Sequence, residues 1–239
     1  MKVKEVFCLI IEDPSLRNKY HIFTSRHHAG SLLASFVAKE NFDLLLIIPN
    51  GGVPVGLGLF EALPAQKIPI DLLIVRKIQI PWNTEAGMGA ITPDGQIFLN
   101  QKITSHLSIS DDQLNRQIER TKQQIEERRK KFKLPVFPSV SNKRVLITDD
   151  GIASGFSMIA GAEWLKKLGA KEVIIAVPTA PLDSINCIKP HVKKIICLNI
   201  RTLYPFAVAD AYQAWYDLDL TEATKYMSKI RSLSLNISD

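Results

Sequence analysis

Cysteine is scarce in this chain, three residues in 239, and the three do not cluster. Cys8, Cys187 and Cys197 form no CxxC pair and have no His-rich segment beside them. That argues against a thiolate metal site and against a disulfide framework. Cys8 and Cys197 lie in apolar runs, so the expected state is reduced, partly buried thiols in a cytoplasmic protein. Long hydrophobic runs are also lacking. The longest resemble "LLLIIP" at 44–49, too short to cross a bilayer, so no membrane contact is expected. The N-terminal stretch "MKVKEVFCLIIEDPS" has a basic start and a broken apolar segment, which reads as a strand and not as a signal peptide. Internal repeats and low-complexity tracts are absent.

What the chain does have is apolar material, 46% of its residues, enough for one sizeable core. The expected organisation is a single domain over 1–239. The net charge of +6 suggests an anionic ligand and leaves nucleic acid open, although ordinary surface lysines account for most of it. Short apolar runs alternate with helical patterns. "EVFCLII", "FDLLLIIP", "IDLLIVRK", "KRVLIT", "KEVIIAVP" and "KKIICLNI" read as strands. "RHHAGSLLASFVAKE", "VPVGLGLFEAL" with Pro54 in its first turn, and "MIAGAEWLKKLG" stopped by Gly169 read as helices. This alternation predicts an α/β fold with a mostly parallel central sheet flanked by helices.

Two segments break the rhythm. Residues 78–104 carry Pro81, Gly87, Gly89, Pro93 and Gly95, and read as an irregular excursion with a hairpin at Pro93-Asp94-Gly95. Residues 110–133 read as a charged helical insertion. Ser110 caps it, acids lead and bases trail, as the helix dipole favours. Its basic end suits nucleic acid or a solvated face.

The stretch "VLITDDGIASGFSM" at 145–158 carries the chemistry. Asp149 and Asp150 follow a strand, at the end where open α/β sheets bind ligands. A small-residue loop, Gly151 to Gly155, then leads through Phe156 and Ser157 into a helix. Converging N–H groups and a helix N-terminus suit a phosphate, and Ser154 and Ser157 add hydroxyls. The GxxxxGK[ST] lysine and the GxGxxG pattern are both missing, so this is neither usual nucleotide loop. Acids repel phosphate but accept hydrogen bonds from sugar hydroxyls, directly or around a metal. Acids for a ribose and a loop for its 5′-phosphate describe a phosphoribosyl group.

The strand, the two acids and the Gly/Ala/Ser loop resemble the signature of the type I phosphoribosyltransferases. "PNGGVPVG" at 49–56 resembles that family's pyrophosphate loop. "VRKIQIPWNTEAGMGAI" and "FAVADAYQAWYDL" resemble an uncharacterised subgroup of predicted phosphoribosyltransferases, and the likeness covers roughly residues 22–226. The resemblance implies a transferase that moves the phosphoribosyl group of 5-phosphoribosyl 1-pyrophosphate (PRPP) to a nitrogen acceptor, a nucleobase by default, with Mg²⁺ and release of pyrophosphate. It implies a homodimer and a place in cytoplasmic nucleotide and nucleoside metabolism. Asp149 and Asp150 are expected to hold the ribose hydroxyls and, indirectly, the metal. Gly151, Ile152, Ala153, Ser154, Gly155, Phe156 and Ser157 are expected to wrap the 5′-phosphate. Asn50, Gly51, Gly52, Arg76 and Lys77 are expected at the pyrophosphate, the last two as cations ending a strand. Tyr204 and Phe206, with Tyr212 nearby, are candidates to stack on the acceptor, and residues 78–104 are expected to form a mobile hood. No covalent nucleophile is required.

There are departures from the pattern. Asn50 stands where subgroup relatives carry a basic residue, and Phe156 is bulkier than usual. Ala153 replaces the aspartate that takes a proton in enzymes for 6-oxopurines, which argues against hypoxanthine and guanine. His27 and His28 read as helix-surface residues. The alternatives are a regulator of the same fold that senses PRPP or a nucleotide and binds nucleic acid, for which no separate nucleic-acid module is recognisable, and a nucleotide-binding protein with a lapsed site.

Overall fold

The computed structural model describes residues 8–63, 68–100, 104, 106, 107, 109–134 and 137–236. Six strands form one sheet: β1 (Leu9–Ile11), β2 (Leu44–Ile47), β3 (Ile70–Leu72), β7 (Arg144–Thr148), β8 (Glu172–Pro181) and β9 (Lys194–Arg201). Their order is β1-β9-β8-β7-β2-β3 and every pair is parallel. A parallel sheet needs cover on both faces, and alternate residues divide accordingly. Leu45, Ile47, Leu146, Ile174 and Leu198 face one core, shared with α1 (Arg26–Val37), α2 (Gly52–Ala62) and the C-terminal helix α6 (Leu220–Asn236). Leu44, Leu46, Ile147, Ile175 and Cys197 face the other, shared with α4 (Phe156–Lys167) and α5 (Leu182–Ile188). None of the three cysteines is in a disulfide, and Cys197 is buried while Cys187 is exposed. Among the described residues no helix is long and apolar enough to cross a membrane.

The irregular reading of 78–104 is corrected. β4 (Arg76–Ile80), β5 (Asn83–Ile91) and β6 (Ile97–Leu99) form a second, antiparallel sheet in the order β4-β5-β6. Ile78, Met88, Ala90 and Ile91 are fully buried, which offsets the strand-weakening glycines. The expected Pro93-Asp94-Gly95 turn joins β5 to β6, with Gly95 in the left-handed region at φ +86°. The expected strand "IDLLIVRK" also divides. β3 stops at Leu72, and Leu73, Ile74 and Val75 are buried outside any strand. Arg76 and Lys77 therefore begin a strand of the small sheet instead of ending one of the main sheet. Continuous apolar runs report burial, not hydrogen-bond pairing, so this break leaves no pattern to read.

The charged helix α3 (Asp111–Lys131) has the expected cap. Ser110 Oγ accepts from Gln113 N at 3.3 Å and Gln113 Oε1 accepts from Ser110 N at 3.0 Å. Its inner face buries Ile118, Thr121 and Ile125, so it is packed structure as well as a charged surface. At the carboxyl end of the main strands the segment before α1 is laced to the segment after β9. His21 N donates to Asp210 O at 2.8 Å, Phe23 N to Ala211 O at 3.0 Å, and Gln213 N to Phe23 O at 2.8 Å.

Candidate active site

β7 is apolar and buried up to Thr148, and the chain turns out of the sheet at Asp149. Asp150 N donates to Asp149 Oδ1 at 2.8 Å, which fixes the first carboxylate against the backbone of the second. Ile152 then buries its side chain and donates its N–H to Thr179 O at 2.9 Å, pinning the loop to β8. Ser184 Oγ donates to Ala153 O. Gly155 sits at φ +83°, a left-handed conformation that costs a side chain roughly 1–2 kcal/mol, and α4 begins at the next residue. Between two anchors, Ala153 and Ser154 stay exposed.

The loop opens onto a cleft of about 970 Å³. Asp149, Asp150, Gly151 to Gly155, Ser157, Gly51, Arg76, Lys77 and Phe206 all line it, so most of the expected site residues are brought together from separate stretches of chain. Gly51 touches the acid pair. A Cβ there would lie 1.8 Å from Asp150 Oδ2, so only glycine fits with this carboxylate in place. Four expected residues stand apart from the lining. Asn50 is turned to the C-terminal segment, its Nδ2 donating to Leu218 O at 3.0 Å. Gly52 is the buried first residue of α2, Phe156 is half-buried behind the loop, and Tyr204 is exposed with its hydroxyl donating to Asp183 Oδ2 at 2.8 Å. Tyr212 is buried and donates its hydroxyl to Asp150 O at 2.5 Å, as a support of the acid pair and not a free stacking face.

Arg26 went unnoticed in the sequence. Its Nε donates to Asp150 Oδ2 at 2.8 Å, Nη1 donates to Tyr216 O at 3.0 Å, and its guanidinium stacks 3.8 Å from the Trp215 ring. One signal was available: a cation in the first turn of a helix opposes the macrodipole, and Arg26 directly follows the cap Ser25. His27 and His28 behave as expected, on the helix surface beside Glu61 and at the helix start. Gln79, Trp215 and Asp217 also line the cleft without having been anticipated.

Burial raises both carboxyls above the usual aspartate range. At Asp149 the charge of Asp150 pushes further the same way, whereas Arg26 opposes the shift at Asp150. Burial lowers Arg76 to about 10, with Arg128 adding repulsion, and Arg76 Nη2 donates to Gln124 Oε1 at 3.0 Å. Among the described residues no three His, Cys, Asp or Glu side chains gather to cage a metal. The two cleft carboxylates are a hard-oxygen pair that suits Mg²⁺ held mainly by water and a substrate's own oxygens.

Residues 21–211 match the phosphoribosyl transferase domain family. The chain belongs to that family. Two Mycobacterium tuberculosis proteins, "Putative phosphoribosyl transferase MT0597" and "Putative phosphoribosyl transferase Rv0571c", are each 29% identical over 215 residues, or 87% of this chain and 47% of theirs. The chain thus spans about half the length of these curated relatives. The crystal structure of TT1426 from Thermus thermophilus has the same fold, with a TM-score of 0.68 and 24% identity over 87% of this chain and 98% of that one. The phosphoribosyltransferase-like α/β architecture expected from the sequence is therefore the one adopted.

Proposed function

We propose that the protein transfers the phosphoribosyl group of PRPP to a nitrogen acceptor and releases pyrophosphate. The observation that carries this reading is the pair Asp149–Asp150, leading into an anchored small-residue loop and the N-terminus of α4. Asp149 and Asp150 accept hydrogen bonds from the ribose hydroxyls. The 5′-phosphate sits among the N–H groups of Ala153 to Ser157, aided by the hydroxyls of Ser154 and Ser157, while the Ile152 N–H stays on Thr179 O. Gly51 brings its backbone to the pyrophosphate while Arg76 and Lys77 offset its charge. Asn50 contributes through its backbone, since its side chain stands apart from the cleft lining with Nδ2 donating to Leu218 O. Asp149 and Asp150 would help to hold a PRPP-bound Mg²⁺ through water, and when bound it would neutralise charge on the leaving group.

In the reaction a ring nitrogen donates its lone pair to ribose C1. The C1–O bond to pyrophosphate breaks, its electron pair leaves with pyrophosphate, and any proton on the nitrogen passes to solvent. C1 becomes cation-like on the way, so the protein's work is positioning and exclusion of water. The acceptor lies toward Phe206 and Trp215, the aromatic side chains that line the cleft. The β4–β5 turn, which carries the exposed Trp82, is the part of the small sheet able to close over it.

Pyrophosphate release with PRPP, Mg²⁺ and a panel of nitrogen heterocycles tests the reading. We expect release with at least one acceptor and poor turnover of hypoxanthine and guanine, since Ala153 takes no proton. Efficient conversion of either oxopurine would overturn the argument from Ala153, and a panel without any release would overturn the transferase reading. The regulator reading rests on the charge of α3 and on the basic balance of the whole chain. That helix spends its inner face on packing, and Arg129 near its basic end bonds Pro93 O at 3.4 Å.

A further inference from the structure

Arg201 is the last residue of β9, beside Pro181 of β8, at the same end of the parallel sheet as Asp149. It is 1% exposed, and among the described residues its Nε, Nη1 and Nη2 have no hydrogen-bond partner. Among the described residues no carboxylate pairs with it. A guanidinium stays charged in proteins, and a buried charge without a counter-charge or hydrogen bonds is strongly disfavoured. Its neighbours are aromatic faces. The Tyr20 ring lies 3.6 Å from the guanidinium carbon and the Phe206 ring 6.0 Å from it. Phe206 lines the cleft, and Tyr20 is half exposed, so the cation is one side chain removed from the cleft and covered by a surface ring. Asn199, two residues back along the strand, also has an unpaired buried oxygen. This corner is polar and enclosed, and among the described residues its guanidinium has no acceptor.

We propose that Arg201 anchors a carboxylate carried by the acceptor, and that the acceptor is a planar nitrogen heterocycle bearing an acid group. The proposal rests on the phosphoribosyl-transfer reading and narrows it. A carboxylate supplies both the negative charge and the two parallel acceptors that a guanidinium fork matches, whereas a neutral carbonyl supplies neither. Tyr20 and Phe206 give the flat ring its faces. A pyridine-type nitrogen attacks with a free lone pair and needs no proton acceptor, in keeping with alanine at 153.

Ligand-observed NMR titration of the full chain with pyridine and pyrimidine carboxylates and their matched carboxamides, with and without PRPP and Mg²⁺, tests the proposal. The expected result is at least one acid bound tenfold or more tighter than its amide. In Arg201→Gln that preference disappears while the amide's affinity is unchanged. Tyr20→Ala keeps the cation, so it retains the preference while weakening both ligands about threefold; it carries the test if Arg201→Gln does not fold. Equal binding of acids and amides, no binding of any acid, or a preference that survives Arg201→Gln overturns the proposal. An acid preference without PRPP binding would refute phosphoribosyl transfer and leave the carboxylate site standing. PRPP binding without an acid preference would do the reverse.

Discussion

The loop Gly151–Gly155 and the cations Arg76 and Lys77 line one cleft, yet they are held in different ways. The loop is fixed by its own residues: a buried Ile152, a hydrogen bond to Thr179 O and a left-handed Gly155. The cations stand on β4, whose pairing with β5 is irregular at Ile78, Gln79 and Ile80, and Arg76 is oriented by Gln124 of α3. A rigid cradle thus lies beside a more adjustable wall. Such a division suits a reaction that grips one phosphate throughout and must release another. It also makes the cradle readable from a short stretch of sequence, while the wall depends on a helix nearly fifty residues away.

The largest effect is expected at Gly51, which packs against Asp150 where the chain enters the cradle. Gly51→Ala places a methyl on Asp150, so PRPP affinity should fall on the order of 100-fold, the value of one or two charge-assisted hydrogen bonds. Isothermal titration checks it, with circular dichroism confirming the fold. Lys77→Gln, on the adjustable wall, should raise the KM for PRPP about tenfold and leave the 5′-phosphate contacts intact. A loss at Lys77 larger than at Gly51 would invert the comparison.

Stability supplies a third contrast. The carboxyl of Asp149 is raised in the folded protein, so the stability it contributes is greatest below the ordinary aspartate range and is lost as pH rises through the raised value. Asp149→Asn should therefore melt higher than wild type at pH 8, with the gap closing as pH falls toward the ordinary aspartate range. Thermal melts across that range decide it; an unchanged or lower midpoint at pH 8 would contradict the burial argument. Hydrogen exchange gives the finest distinction. Amides of Ile78, Met88 and Ala90 should be protected throughout, whereas those flanking Trp82 should gain protection only with PRPP, Mg²⁺ and an acceptor analogue.

Much of the fold was legible because its signals are local. Strand burial, the Ser110 cap, the Gly169 stop and the loop after β7 each rest on residues a few positions apart. Leu73–Val75 looked like strand because an apolar run carries no mark of where pairing ends. In the site, Asp149 to Gly155 and Gly51 were legible from loop chemistry. Arg26 was not, because its meaning comes from an ion pair 124 residues away. Tyr204 misled because an aromatic after the last strand gives no direction, and here its hydroxyl turns outward to Asp183. Arg201 ends an apolar strand, and nothing in "KKIICLNIR" says that its guanidinium is buried with no hydrogen-bond acceptor among the described residues.

The most direct test of the PRPP assignment is a calorimetric titration of the protein with PRPP and Mg²⁺, set beside the Asp149→Asn, Asp150→Asn double variant. We expect saturable binding by the wild type and a loss of at least about 100-fold in a variant that remains folded. A folded double variant that binds PRPP as tightly as the wild type would contradict the assignment of the acid pair to the ribose.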